Sequence, residues 1–175
     1  MTTDTAALAP GQQELLITRT FDAPRDLVWQ AFTQAEHLAH WWGPKGFAIE
    51  VAALDVSPGG VFHYCMRAGN GMAMWGKFVY REVQAPERIV FTNSFSDEAG
   101  NTTRAPFNAN WPLEVLNTWT FSEADGKTTL TLRGIPFNAS EIEHAIFVAG
   151  FDSMRMGFGG TLDQLATYLA LQQTG

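Results

Sequence analysis

Residues Ser140 to Leu171 read SEIEHAIFVAGFDSMRMGFGGTLDQLATYLAL, and the fold follows from the period of this stretch. Ser140 and Glu143 have the S-x-x-E spacing of a capping box, in which a hydroxyl and a carboxylate satisfy the free amides of a helix start. A helix is therefore expected from Ser140. His144, Phe147, Phe151, Met154, Phe158, Leu162, Leu165 and Leu169 then recur at steps of three or four and draw one mostly apolar stripe. Glu141, Arg155, Asp163, Gln164 and Gln172 take the opposite side, as in an amphipathic helix laid on another surface.

Gly150, Gly157, Gly159 and Gly160 interrupt this pattern. Inside a helix each costs roughly 0.5–1 kcal/mol relative to alanine. Close packing against a sheet, or a kink that follows a curved surface, is one explanation. The other is that the missing side chains leave space for a ligand. Periodicity alone does not separate the two.

The surface for this helix comes from strands. Over Glu14 to Phe21, Leu15, Ile17, Arg19 and Phe21 alternate with Leu16, Thr18 and Thr20, which predicts a strand with one better-buried face. Asp22-Ala23-Pro24 stops it, and Leu27, Val28, Ala31 and Phe32 continue at helical spacing. A second short helix is expected over Ala35 to Trp41, ended by Gly43-Pro44. Phe47 to Val56, Val61 to Arg67, Ala73 to Gln84, Arg88 to Ser96, Val115 to Ser122 and Thr128 to Arg133 then read as strands between turn signals such as Pro58-Gly59-Gly60 and Asp125-Gly126. Their short connections imply antiparallel hairpins. The fold class is α+β: an antiparallel sheet of about six to seven strands, two short helices after the first strand, and a long C-terminal helix. Residues 1–12 read as a loose leader and 13–175 as a single domain. The long polar connection from Asp97 to Pro112 is placed to act as a flap.

Alternation assigns faces. Lys77 and Arg81 favour solvent, which turns Gly76, Phe78 and Tyr80 inward. Phe62, Tyr64 and Met66, then Phe91, Asn93 and Phe95, then Asn117, Trp119 and Phe121 form matching sets, with Leu130 and Leu132. Tyr64, Tyr80, Asn93 and Asn117 are polar, so they either bond one another or face water or a ligand. Aromatic residues, including six Trp and thirteen Phe, make up 13% of the chain, more ring area than folding alone requires. A lined cavity is one use for the excess.

Charge and motifs narrow the partners. Lys plus Arg total 11 against 18 Asp plus Glu, a net charge of −7 with no basic run, which argues against nucleic acid. A single cysteine, Cys65, excludes an internal disulfide, and neither a signal peptide nor a membrane span is visible, so a cytoplasmic protein without a membrane partner is expected. Gly71 to Lys77 matches G-x-x-x-x-G-K, but Phe78 stands where a phosphate loop needs Ser or Thr. His63 and Cys65 share a strand face and His37 and His40 a helical one, yet no four-ligand spacing converges, so neither metal nor cofactor is expected. His144 reads either as a hydrogen-bonded core residue or as a cavity acid or base. Asp152 either bonds a strand group or orients a ligand. Met66, Met72, Met74, Met154 and Met156, with Trp75, Trp111 and Trp119, suit a hydrophobic ligand or an ordinary core.

Several stretches together resemble a known family. They are Phe21-Asp22-Ala23-Pro24 with Val28 to Thr33, Leu38 to Pro44 (LAHWWGP), Pro58-Gly59-Gly60, Gly76 to Arg88, Thr129 to Leu132, and Gly160 to Leu165. The chain is similar in these to the family related to the C-terminal domain of the activator of Hsp90 ATPase, within the START-like (SRPBCC) superfamily and its helix-grip fold. That resemblance implies a sheet wrapped round the long helix with a cavity between them, and no invariant catalytic motif. The cavity would be lined by Trp42, Phe62, Tyr64, Met66, Met74 and Phe78, by Tyr80, Phe91, Asn93, Phe95, Asn117 and Trp119, and from the helix by His144, Phe147, Phe151, Met154 and Phe158. Binding of a small, largely hydrophobic or aromatic molecule is the leading expectation, with orientation from Tyr64, Tyr80, Asn93, Asn117 or His144. A polyketide cyclase or aromatase using confinement and a Tyr or His proton relay is the alternative. A co-chaperone-like interaction module is the third reading, set against by the expected lack of a separate N-terminal region. A homodimer would pair through strand edges or Trp41-Trp42.

Overall fold

The computed structural model of the protein describes residues 13–43 and 46–174. The expected leader at residues 1–12, and Pro44 of the expected helix stop, lie outside the described residues. β1 (Leu15–Phe21) leads into two short helices, α1 (Arg25–Thr33) and α2 (Ala35–Trp41). There follow β2 (Phe47–Leu54), β3 (Val61–Ala68), β4 (Ala73–Gln84), β5 (Arg88–Ser96), β6 (Thr102–Thr103), β7 (Glu114–Ala124) and β8 (Lys127–Phe137), then α3 (Glu141–Ala149) and α4 (Phe151–Thr174). The strands form one antiparallel sheet in the order β1-β8-β7-β5-β4-β3-β2, with β6 on β5. This is the expected α+β architecture with one strand more. The addition is a two-residue pairing of Thr102 and Thr103 with Ser96 and Phe95, too short for alternation to announce.

The long helix departs from expectation in one respect: it is two helices. Its start forms as read, with Glu143 N donating to Ser140 Oγ at 3.1 Å and Ser140 N to Glu143 Oε1 at 2.9 Å. Gly150 then takes φ −91 and ψ 3, and α3 ends. A Cβ on Gly150 would stand 3.1 Å from the Trp111 ring, so this glycine lets the chain turn beneath an indole. Of the four glycines, this one answers to close packing.

α4 lies on the concave face of the sheet through Leu162, Leu165 and Leu169, each no more than 3% exposed. The two short helices close the same end, where Phe32 sits edge-on to Trp41, Trp119 and Phe121 at 4.7, 5.4 and 5.2 Å. Polar bonds fix α2 to α4. Gln164 Nε2 donates to the carbonyls of Trp41 and Gly43 at 3.2 and 2.8 Å, and Thr161 Oγ1 donates to Gly43 at 3.0 Å. Gln164, expected on the solvent side, is therefore a tether. Trp41 is buried, its Nε1 donating to the Ala31 carbonyl, and Trp42 turns into the aromatic interior. Trp41 is thus covered within the chain, while Trp42 remains only partly buried. Gly43 has a left-handed φ of +95, and a Cβ there would stand 2.5 Å from Ile49 Cδ1, so the turn out of α2 requires glycine.

Ser140→Ala removes the hydroxyl of the capping box. Urea unfolding should show a stability loss of about 0.5–2 kcal/mol with an unchanged denaturant slope.

Candidate functional site

The register turns one side of every strand toward α4, and that side is almost free of charge. Among the described residues its charged strand positions are Arg19, which Asp163 of α4 meets at 2.7 Å, and Glu123 at the far end, whose Oε2 accepts from the Arg25 amide at 3.0 Å. The other concave positions are apolar, aromatic, glycine or neutral polar. Such a face favours an uncharged occupant, since an ion brought there would lose its hydration without finding a counter-charge.

Burial divides the expected lining residues into two groups. Phe62, Tyr64, Phe78, Tyr80, Phe91 and Trp119 are no more than 5% exposed, and their rings interlock. Phe78 stacks on Phe91 at 4.1 Å, Phe91 stands edge-on to Trp119 at 4.8 Å, and Phe62 leans on Tyr64 at 4.7 Å. These form packed core. His144, Phe147 and Asn117 are buried beside it. Trp42, Met66, Met74, Asn93, Phe95, Phe151, Met154 and Phe158 are only partly buried. They cluster toward the first turns of α4, where a Cβ on Gly157, Gly159 or Gly160 would meet no atom within 4 Å. Close packing does not account for these three glycines. Burial between sheet and helix is thus nearly complete along the second half of α4 and partial along the first.

The polar groups of the concave face are mostly paired or masked. Asn117 Nδ2 donates to Asn93 Oδ1 at 2.7 Å and to the Val115 carbonyl at 3.1 Å, so these two residues bond one another, as one of the expected alternatives had it. The Tyr64 hydroxyl rests over Gly76, where a Cβ would stand only 2.7 Å from it. Burial pushes the Tyr64 phenol above its ordinary range, and the Trp42 indole partly opposes the rise. That indole N–H lies near the Tyr64 oxygen without hydrogen-bond geometry and is otherwise unpaired. Burial, then the nearby Tyr64, raises Tyr80 in the same sense. Both phenols are neutral O–H groups and poor proton acceptors.

Several other expected contributors stand elsewhere. Asp152 is fully solvated and faces Arg155 at 3.9 Å, because it projects from the outer side of α4. Met72 and Met156 are 51% and 79% exposed, one at a hairpin tip and the other on the solvent side of the helix. Trp75 points to the convex face and stacks on His63 at 4.9 Å. Cys65 is buried on that face, and burial raises its thiol above the ordinary value, which leaves it a packing residue. Among the described residues no group of three or more His, Cys, Asp or Glu is close enough to hold a metal ion.

The connection from Asp97 to Pro112 is tied to both faces of the sheet. The Asp97 carboxylate accepts from Asn101 Nδ2 at 3.0 Å and from its amide at 2.8 Å, which holds it below the usual carboxylate range. Lys77 Nζ donates to the Gly100 carbonyl at 3.0 Å on the convex side. Further on, Phe107 meets Phe95 and Trp111 at 5.8 and 5.5 Å, and Trp111 faces Phe147 at 5.6 Å. Phe107 and Trp111 thereby make a lip to the partly buried half. Ile49 adds to the opposite side, through its approach to Gly43 beside Met66. The alternation Phe47, Ile49, Val51 was the available signal for it.

Two surface grooves flank the second half of α4. One of about 440 Å³ is lined by His40, Asp163, Gln164, Thr167, Tyr168 and Leu171, and one of about 370 Å³ includes Thr20, Phe21, Asp22, Ala166 and Gln173. Neither contains any of the expected cavity-lining residues. In the first, His37 Nδ1 bonds the Tyr168 hydroxyl and His40 stacks on the Tyr168 ring at 5.3 Å. No helix among the described residues is long and apolar enough to cross a membrane.

A sheet gripping a C-terminal helix, with neutral side chains between them, defines the helix-grip class. The sequence pattern of the activator of Hsp90 ATPase homolog 1-like proteins matches residues 22–170, and the chain belongs to that family. Among solved structures, Ms6760 from Mycobacterium smegmatis is 28% identical, with 88% of each chain covered and a TM-score of 0.70. A protein from Staphylococcus epidermidis is 26% identical, with 95% of each chain covered and a TM-score of 0.72. DynU16, a protein of the dynemicin biosynthetic locus, is 20% identical with a TM-score of 0.62; the match covers 90% of this chain but 47% of that one, a likeness of fold. No curated protein matches the chain in sequence.

Gly76→Ala would drive a methyl group into the Tyr64 ring. The expected cost is roughly 1–3 kcal/mol in chemical unfolding, as for other overpacked cores. The raised phenols also set an alkaline limit. Below the ordinary tyrosine value of 10.0 folded and unfolded chains both keep these protons; above it the unfolded chain releases them first, so stability falls as pH rises. Unfolding curves across that range should show the decline, and Tyr64→Phe should make it shallower.

Proposed function

We propose that this protein binds a small, largely hydrophobic or aromatic molecule between the sheet and the first turns of α4, and releases it chemically unchanged. The observation that carries this reading is the burial gradient along α4. Leucines seal one half, while only partly buried Trp42, Met66, Met74, Phe95, Met154 and Phe158 border the other. Methionines and flat rings adapt to varied apolar shapes, which suits a binding site more than a transition state.

Binding is favoured over a cyclase for a chemical reason. Against a relay through tyrosine, burial holds Tyr64 and Tyr80 in their neutral O–H form. The likeness to DynU16 supports a fold able to enclose such a molecule and carries no reaction with it.

Met154 lies on the helix stripe between Phe151 and Phe158, half-buried against the cluster of Leu15, Val115 and Phe147. Met154→Glu should therefore weaken the binding of N-phenylnaphthylamine by tenfold or more in a fluorescence titration, because a carboxylate there loses hydration as the apolar probe enters. Undiminished binding by that variant, or no saturable binding by the parent, would contradict the proposal.

A further inference from the structure

Four residues of the concave face, Tyr64, Tyr80, Asn93 and Asn117, were candidates to orient a ligand, and the hydrogen-bond pattern separates one from the rest. Asn117 Nδ2 donates to the Val115 carbonyl at 3.1 Å and to Asn93 Oδ1 at 2.7 Å. A backbone carbonyl can only accept, so the Asn117 atom that meets it must be the nitrogen. The Asn93 atom bonded to that nitrogen must in turn be its oxygen. This fixes the Asn93 amide end for end and leaves its NH2 as the outward group, with no acceptor among the described residues. Asn117 is itself buried, and its Oδ1 stands 3.2 Å from the place a Cβ on Gly134 would take, so glycine at 134 makes room for the pair.

The position of that NH2 gives it a use. Asn93 is partly buried, and its cross-strand partner Val115 belongs to the cluster that includes Phe151, Met154 and Phe158 of the partly buried half. Tyr64 and Tyr80, by contrast, lie in the packed core, and Trp42 Nε1 is buried. No carboxylate or free cation faces the same space from the strands, Arg19 being paired with Asp163.

We infer that Asn93, held by Asn117, is the specificity-determining donor of this site, and that the site selects a neutral apolar molecule bearing a carbonyl-type acceptor. The inference rests on the binding reading above. A carboxylate would find one donor and no counter-charge, and an ammonium group would meet a donor instead of an acceptor. A hydrocarbon of equal size would bury the same surface and leave the Asn93 NH2 unanswered.

The test compares acetylnaphthalene, ethylnaphthalene and naphthoate, substituted at the same ring position, against the parent protein and Asn93→Asp. The aspartate can still accept from Asn117 but turns an anion toward the ligand. The parent should bind the ketone about threefold to tenfold more tightly than the hydrocarbon, the range of one neutral hydrogen bond, and should bind the carboxylate most weakly. Asn93→Asp should abolish the ketone preference, binding the ketone no more tightly than the hydrocarbon. Should that variant fail to fold, the side-chain amide resonances of Asn93 in the parent decide: they should shift with the ketone and stay in place with the hydrocarbon. Equal affinities for ketone and hydrocarbon, equal resonance shifts, or a carboxylate bound as tightly as the ketone would overturn the role of Asn93 and leave the binding site standing. Failure of all three compounds to bind would overturn the binding site, and this inference with it.

Discussion

Three leucines hold α4 to the sheet, and where they stop decides what the rest of the molecule can do. Leu162, Leu165 and Leu169 are all but fully buried, and each contributes roughly 1.5–3 kcal/mol by leaving water. Gly157, Gly159 and Gly160, immediately before them, each cost roughly 0.5–1 kcal/mol in helix propensity and return no contact. The leucine term is the larger, so the helix stays seated by its second half while its first half can remain loosely packed. The turn at Gly150 under Trp111 sets the start of that half, and the bonds from Thr161 and Gln164 to the Gly43 carbonyl set its end. Partial burial is in this sense a product of the same helix that closes the core.

Neutrality is the second constraint. Among the described residues the concave face carries Arg19, paired with Asp163, and Glu123 at its far end, so the polar groups of its interior are neutral. Burial keeps Tyr64 and Tyr80 protonated, and the Asn93–Asn117 bond stops either amide from turning over. The outcome is a face whose few polar groups have fixed donor and acceptor directions. Preorganisation of that kind discriminates between ligands of equal size without adding much affinity.

Much of this was legible in the sequence. Alternation around Lys77 placed Phe78 and Tyr80 inward, and the S-x-x-E spacing at Ser140 located a helix start that the bonds to Glu143 reproduce. What escaped was anything depending on a partner distant in the chain. Gly150 is a break because Trp111, far away in sequence, lies above it; Gln164 is a tether because the Gly43 carbonyl lies beside it. Periodicity records which side of a helix is apolar and carries no information about what meets it. Likewise the aromatic residues of the strands formed one indistinguishable set until burial divided Phe62 and Phe91, in the core, from the only partly buried Phe95. The direction of the Asn93 amide depends on a carbonyl of β7, which only the register reveals.

The central claim, that a small apolar molecule resides between the sheet and the first half of α4, is tested most directly by following methionine and leucine methyl resonances during a titration with ethylnaphthalene. The account predicts saturable shifts at Met66, Met74 and Met154, with Met72 and Met156 unmoved. Shifts confined to Leu169 and Leu171, beside the two surface grooves, or an absence of saturable change at the three methionines, would contradict it.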